Sequence, residues 1–201
     1  IVDDDGALTL ASMDRINDDE TVYEKVGDDW WRTSTAKVYA KDDDATATTT
    51  SVSKSRLSGF TGDLTAETVT IDVHGNETVN KTFVDDDNKT VTRTTDHPDS
   101  TVDSQAVTVN GLSTSSRSMA NLTTTYSYDG LGRQTGVTDP RTGQSTIAYY
   151  SSGTGKKGKI HTVTDAAGNT TTYDYSSTTG RRTSVTNALG KDTTYTYDSR
   201  G

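Results

Sequence analysis

The 201-residue chain has no cysteine and only two prolines. Without thiols it can form neither disulfides nor thiolate metal sites. So few prolines exclude a proline-rich linker, and its 17 glycines lack the every-third-residue period of collagen. Apolar residues are also scarce, at 29%. A thick spherical core is therefore not expected. A broad sheet with one apolar and one wet face, or a shell around a solvated space, needs fewer apolar residues. No apolar run approaches transmembrane length, and no charged-then-apolar leader opens the chain. Basic residues number 20 against 29 acidic ones, a net charge of −9. That balance argues against nucleic acid and anionic membrane as partners, since both would be repelled, and no membrane insertion is expected.

Threonine is what the chain has instead, about a fifth of all residues. Its β-branched side chain suits a pleated, half-buried surface, so strands are favoured. No helical apolar period runs beyond about ten residues. A repeat is legible at the C-terminal end. One copy reads Tyr126-Ser-Tyr128-Asp129-Gly-Leu-Gly132-Arg133, then Val137-Thr-Asp139 and Gly143. The next reads Gly158-Lys159, Val163-Thr-Asp165, Gly168-Asn169 and Tyr173-Asp174-Tyr175. The last reads Gly180-Arg181, Val185-Thr-Asn187, Gly190-Lys191 and Tyr195-Thr-Tyr197-Asp198. Tyrosines two apart share a strand face, and the Asp-Gly and Gly-Arg positions are turn chemistry. Each repeat therefore reads as a β-hairpin, stable only when paired laterally into a long antiparallel sheet.

The same grammar continues upstream. Asp72-Val-His-Gly75-Asn76 keeps the Asp, Gly and Asn of Asp165–Asn169, between alternating segments at 68–71 and 78–84. Asp85–Asn88 then turns the chain into 89–95, and Gly27-Asp28-Asp29 joins Tyr23–Val26 to Trp30–Arg32. The reading divides the chain into four parts. Residues 1–64 are an N-terminal β region without a diagnostic motif; its charge also allows a disordered reading. Residues 65–98 hold degenerate hairpins, and 99–122 an irregular Ser/Thr/Asn-rich connection around a short strand, Ala106–Val109. Residues 123–201 hold full repeats. The start at Ile1 and the stop in mid-repeat at Gly201 imply a piece of a longer polypeptide.

Tyr126–Arg133 and its echoes at 158–175 and 180–198 resemble the YD repeat of the RHS (rearrangement hotspot) superfamily. That superfamily includes bacterial polymorphic toxins, cocoon components of insecticidal toxin complexes, wall-associated proteins and teneurins. The resemblance implies an all-β fold of tandem hairpins in a long, spiralling or curved sheet around a hollow interior. It implies wall and not cargo: a non-catalytic scaffold, extracellular or at the cell surface of a bacterium. The residues that carry the repeat are Tyr126, Tyr128, Asp129, Gly132, Arg133, Gly158, Asp165, Gly168, Tyr173, Tyr175, Gly180, Arg181, Gly190, Tyr195, Tyr197 and Asp198. Asp139-Pro140-Arg-Thr-Gly143 is superficially similar to the self-cleavage motif of toxin-bearing members, but it sits inside an ordinary repeat with more repeats after it.

Other candidates are set against plainer readings. The acidic clusters Asp3–Asp5, Asp18–Glu20, Asp28–Asp29, Asp42–Asp44 and Asp85–Asp87 offer oxygen ligands for calcium, above all Asp42, Asp43, Asp44, Asp85, Asp86 and Asp87. Consecutive side chains diverge, however, so solvated turn residues are the expectation, and no cofactor is expected. His74, His97 and His161 are too scattered for a metal site or a triad, and no activated serine motif occurs. The chain is not expected to be an enzyme. Trp30 and Trp31 could stack on a sugar, but in a strand they face opposite ways, and core packing is favoured. Asn76, Asn80, Asn88, Asn121 and Asn169 lie in Asn-x-Ser/Thr sequons, expected by chance in so Thr-rich a chain.

Three functional readings follow. The first is a stiff scaffold, stalk or fibre that encloses or presents another component and self-associates through open sheet edges. The others are the shell segment of a secreted toxin-delivery protein and a cell-surface module binding a glycan or receptor.

Overall fold

Alternating β-branched and hydroxyl side chains, broken by Asp, Asn and Gly, produce strand after strand with short turns. The computed structural model describes residues 17–39 and 46–198. Its strands are β1 (Asn17–Val26), β2 (Asp29–Val38), β3 (Thr48–Arg56), β4 (Leu64–Ile71), β5 (Glu77–Asp85), β6 (Thr90–Asp96) and β7 (Ser104–Val109). There follow β8 (Leu112–Arg117), β9 (Thr123–Tyr128), β10 (Gln134–Asp139), β11 (Gly143–Tyr149), β12 (Ile160–Thr164), β13 (Thr170–Tyr175), β14 (Arg182–Thr186) and β15 (Asp192–Thr194). Strand order in the open antiparallel sheet is chain order, so the expected all-β class of tandem hairpins is what forms. Among the described residues there is no helix.

The chain divides into two compact units, one running to Gly111 with Arg117–Asn121, the other comprising Leu112–Ser116 and the residues from Leu122 onward. In the first unit the register puts Val22, Trp31, Val52, Val69, Val79 and Phe83 on one face. The opposite face carries a hydroxyl row, Thr21–Ser34–Ser53–Thr70–Thr78. The hairpin at Gly27 is longer than its sequence signal, with ten-residue strands on each side. Its two-residue loop has positive φ at Gly27 alone, the pattern of a II′ turn.

The second unit has the same division. Tyr126, Val137, Ile147, Val163, Tyr173 and Val185 share one face, while Thr162–Thr172–Thr186 and Thr146–Thr164–Thr170 run along the other. Within each unit, strands contact only their sequence neighbours. A sheet one layer thick has no interior, and among the described residues no apolar side chain is fully buried. Core packing of the tryptophans is corrected accordingly: Trp30 is 48% exposed and Trp31 half-buried.

In the connection expected at 99–122 the short strand at Ala106–Val109 forms as β7, and a second strand, β8, pairs the chain back where irregular structure was expected. Asn110 and Gly111 between them have φ of 51° and 79°. Positive φ at both loop positions is the I′ hairpin turn that an Asn-Gly pair favours. The Ser/Thr-rich segments beside this turn, 104–109 and 112–117, are strands, while 97–103 and 118–122 are turns and bends.

Candidate functional site

The repeat residues converge on one recurring turn. In Asp165–Asn169, Gly168 N–H donates to Asp165 O and Asp165 N–H to Asn169 O, both at 3.0 Å. The Asp165 carboxylate accepts from the N–H groups of Ala167 and Asn169 (2.9 and 2.8 Å) and from the Asn169 side-chain amide (2.9 Å). Gly168 has φ of 86°, a conformation that costs residues with a Cβ. Asp129–Arg133 closes in the same way, with the Arg133 guanidinium donating to the carboxylate in place of the amide. Asn187–Lys191 does so with a neutral acceptor, and Asp72–Asn76 is the copy in the first unit. These bonds hold the carboxyls below the usual range. The Asn169 side chain is the main cause at Asp165, Arg133 at Asp129 and Asn76 at Asp72.

A second contact closes the open ends of the hairpins β10–β11, β12–β13 and β14–β15. The Arg133 guanidinium lies 4.1 Å from the Tyr149 ring centroid, Lys159 5.2 Å from that of Tyr175, and Arg181 5.4 Å from that of Tyr197. Each marker cation thus meets the tyrosine 16 residues later. Arg133 also donates to Gly158 O at 3.1 Å, across the next marker. A Cβ at Gly158 would touch Arg133 at 3.4 Å, and one at Gly180 would touch Lys159 at 3.4 Å. The preceding cation thus lies directly against the marker glycine, and at Gly180 the Gly155 carbonyl comes closer still, 3.0 Å from the Cβ position. Leu112 stands 16 residues ahead of Tyr128 and lies 3.7 Å from the Cβ position of Gly132, so it fills the cation's place with an apolar group.

The register slips once per repeat, between Gln134 and Gly136, between Ala148 and Tyr149, and between Asp174 and Tyr175. The extra residues are Thr135, His161 and Thr183, each three after a marker glycine, and such bulges locally bend and twist the strand.

The connection from Tyr150 to Lys159 is fastened to the next strand. Lys156 Nζ and Tyr150 Oη donate to Asp174 Oδ1 at 2.6 and 3.0 Å, and the Tyr150 ring packs 4.3 Å from His161. Lys156 is the chief reason the Asp174 carboxyl is lowered, while burial pushes the Tyr150 hydroxyl up.

In the first unit Arg56 joins strands by charge. Its guanidinium pairs with Asp29, reaches Glu67 at 3.0 Å, and donates to Gly59 O at 2.8 Å and Ser58 O at 3.0 Å. Nearby, Trp31 lines a shallow depression with Glu24, Val26, Lys54, Val69 and Glu77, while Trp30 lies on the opposite face.

The remaining candidates fall apart from one another. Asp85 accepts from Asn88, Asp86 and Asp87 are exposed, and Asp42, Asp43 and Asp44 lie outside the described residues, as does Asp3–Asp5. Among the described residues no three acidic or histidine side chains could hold one metal ion. His74 sits in the Asp72 turn, and His97 meets Ser104 at 3.2 Å. The side-chain amides of Asn76, Asn88 and Asn169 are engaged by Asp72, Asp85 and Asp165. Asn80 accepts from Thr95, and Asn121 has φ of 56°. Asp139 caps an ordinary turn through Arg141 and Thr142 N–H. Tyr195 and Tyr197 are 38% and 45% exposed, and Asp198 follows them.

The RHS Repeat family model matches residues 109–144 and 156–190. These two segments are RHS repeats. They tie this part of the chain to the RHS/YD-repeat superfamily, whose repeats are generally structural scaffolding and whose members are typically extracellular or cell-surface proteins. The RHS match begins at 109, ahead of the 123 expected from the Tyr-Asp signal, and takes in the Asn110-Gly111 turn and Leu112. No curated protein matches the chain. The RHS residues at 109–122 lack tyrosine, and their signal in the sequence is the 16-residue spacing from Leu112 to Tyr128.

Proposed function

We propose that this RHS-repeat chain is a section of a non-catalytic extracellular scaffold that encloses or presents another component. The observation that carries this reading is the seat of each marker cation against the next marker glycine: Arg133 donates to Gly158 O at 3.1 Å, and Lys159 lies 3.4 Å from the Cβ position of Gly180. Such contacts make neighbouring hairpins stiffen one another, as the wall of a container or a stalk requires. The test is protease treatment of intact producing cells, read with an antibody to the repeats. Degradation from outside, or full-length product in the medium, is expected; complete protection until lysis overturns the reading. The shell of a toxin-delivery protein is the same reading with cargo supplied from beyond this chain.

A second reading rests on the depression at Trp31. A half-buried indole between Val26 and Val69, rimmed by Glu24, Lys54 and Glu77, suits one face of a sugar ring with hydroxyls toward the charges. A glycan array in which the wild-type chain and Trp31→Ala bind alike sinks it.

A further inference from the structure

We infer that copies of this chain associate through their loop edges, basic loops of the second unit on one copy docking against acidic loops of the first unit on another. The scaffold reading does not depend on it. The net charge hides a strong division. Residues 1–121 hold 23 Asp and Glu against 11 Lys and Arg, whereas 122–201 hold 6 against 9. The sequence is therefore −12 over 1–121 and +3 over 122–201.

The surplus is concentrated by the topology. In an antiparallel meander the connections fall alternately on two edges. Within the second unit, 129–133, 150–159 and 176–181 share one edge. That edge carries Arg133, Lys156, Lys157, Lys159, Arg181 and Arg182. Its two carboxylates, Asp129 and Asp174, are already bridged to Arg133 and Lys156. Lys157 and Arg182 are exposed.

In the first unit, the connections at 27–28, 57–63 and 86–89 likewise share one edge. They present Asp28, Asp63, Asp86 and Asp87, all exposed. The cations beside these loops are Lys89, which folds back onto Asp86 O, Lys25, 3.8 Å from Asp28, and Arg56, which is taken up by Asp29 and Glu67.

Pitch makes the two edges complementary as well as opposite in sign. Like-edge loops are two strands apart, about 9.5 Å in either unit. Basic and acidic loops can therefore face each other one to one along a shared spacing. That spacing is about the screening length at moderate salt, so the contact weakens steeply as salt rises.

Sedimentation velocity of the whole chain at about 20 and 300 mM NaCl tests the inference. Concentration-dependent association is expected at low salt, weaker by about tenfold or more at high salt. Lys157→Glu with Arg182→Glu, and separately Asp86→Lys with Asp87→Lys, should each leave monomers where the wild-type chain associates. Mixing the two variants should restore association. Far-UV circular dichroism confirms that each folds; if a reversal unfolds the chain, Lys157→Gln and Asp87→Asn replace it. Monomers at both salts overturn the inference, as does association indifferent to salt or to both reversals. Capture of dextran sulfate without association between copies overturns it too, reassigning the basic edge to an acidic polymer.

Discussion

The two units solve one problem with different means. Strands β1 to β5 in the first are eight to ten residues long, whereas β9 to β15 in the second have three to seven. A long strand has a long hydrogen-bond ladder, and the first unit adds cross-strand charge at Arg56. A short strand has little ladder to hold it. The second unit compensates with a side-chain-capped turn at one end of a hairpin and a cation on a tyrosine across the other. The difference teaches that marker chemistry is concentrated where the ladder is short.

The comparison breaks most sharply at Gly155. It has φ of 69°, and a Cβ there would lie 2.6 Å from Ser176 O, whereas a Cβ at Gly168 meets nothing. Gly155→Ala should cost about 2–3 kcal/mol, steric overlap adding to left-handed strain, against about 1 kcal/mol for Gly168→Ala. Urea denaturation of both variants checks the ordering. Arg56→Ala is the counterpart in the first unit. It strands Asp29 and Glu67, whose side chains are 25% and 14% exposed, and should cost about 2 kcal/mol, less than a fully buried pair because solvent still screens them. Hydrogen exchange should rise in β2 to β4 and stay unchanged in β12 to β14.

Smaller effects sharpen the contrast. Tyr175→Leu should remove about 0.5–1 kcal/mol, the scale of an exposed cation–ring contact. Lys159→Met in that background should then cost nothing more, a double-mutant cycle that a simple packing role would not close. Asp165→Ala should speed amide exchange at Ala167 and Asn169, whereas Asp165→Asn should not, since Asn187 already serves in that position.

Acid offers the gentlest separation. The Asp165 carboxyl is lowered in the fold, so its contribution is complete above the unfolded value near 3.9 and is lost as pH falls below it. Asn187 has nothing to protonate. Ala167 N–H should therefore lose protection as pH falls below about 4 while Leu189 N–H keeps it, read by exchange-sensitive NMR.

The hairpins were legible because their chemistry is local. An Asp or Asn, a Gly three residues on and a residue to donate back all lie within five positions, and the fold needs nothing distant to close them. The contact from Arg133 to Tyr149 was not legible in the same way. It depends on pairing across β10 and β11 and on a bulge that shifts the register, neither of which five residues reveal. At 99–122 the signal was present in Asn110-Gly111 but was outweighed by hydroxyl-rich flanks that resemble a loop. The exposed Trp30 follows from scarcity: 29% apolar residues spread over one layer leave no interior to hide it.

Counting along the chain gives the marker contact one more meaning. From marker cation to tyrosine the interval is always 16 residues, whereas from tyrosine to the next marker glycine it is 4, 9 and 5 after Tyr128, Tyr149 and Tyr175. All variation in repeat length is therefore confined to connections on a single margin of the second unit, and the extra residues at 150–158 leave the next contact intact. That margin is editable text beside a fixed ruled line. New sequence can be inserted there, displayed outward and selected for what it touches, while the measured stretch that follows continues to place its tyrosine.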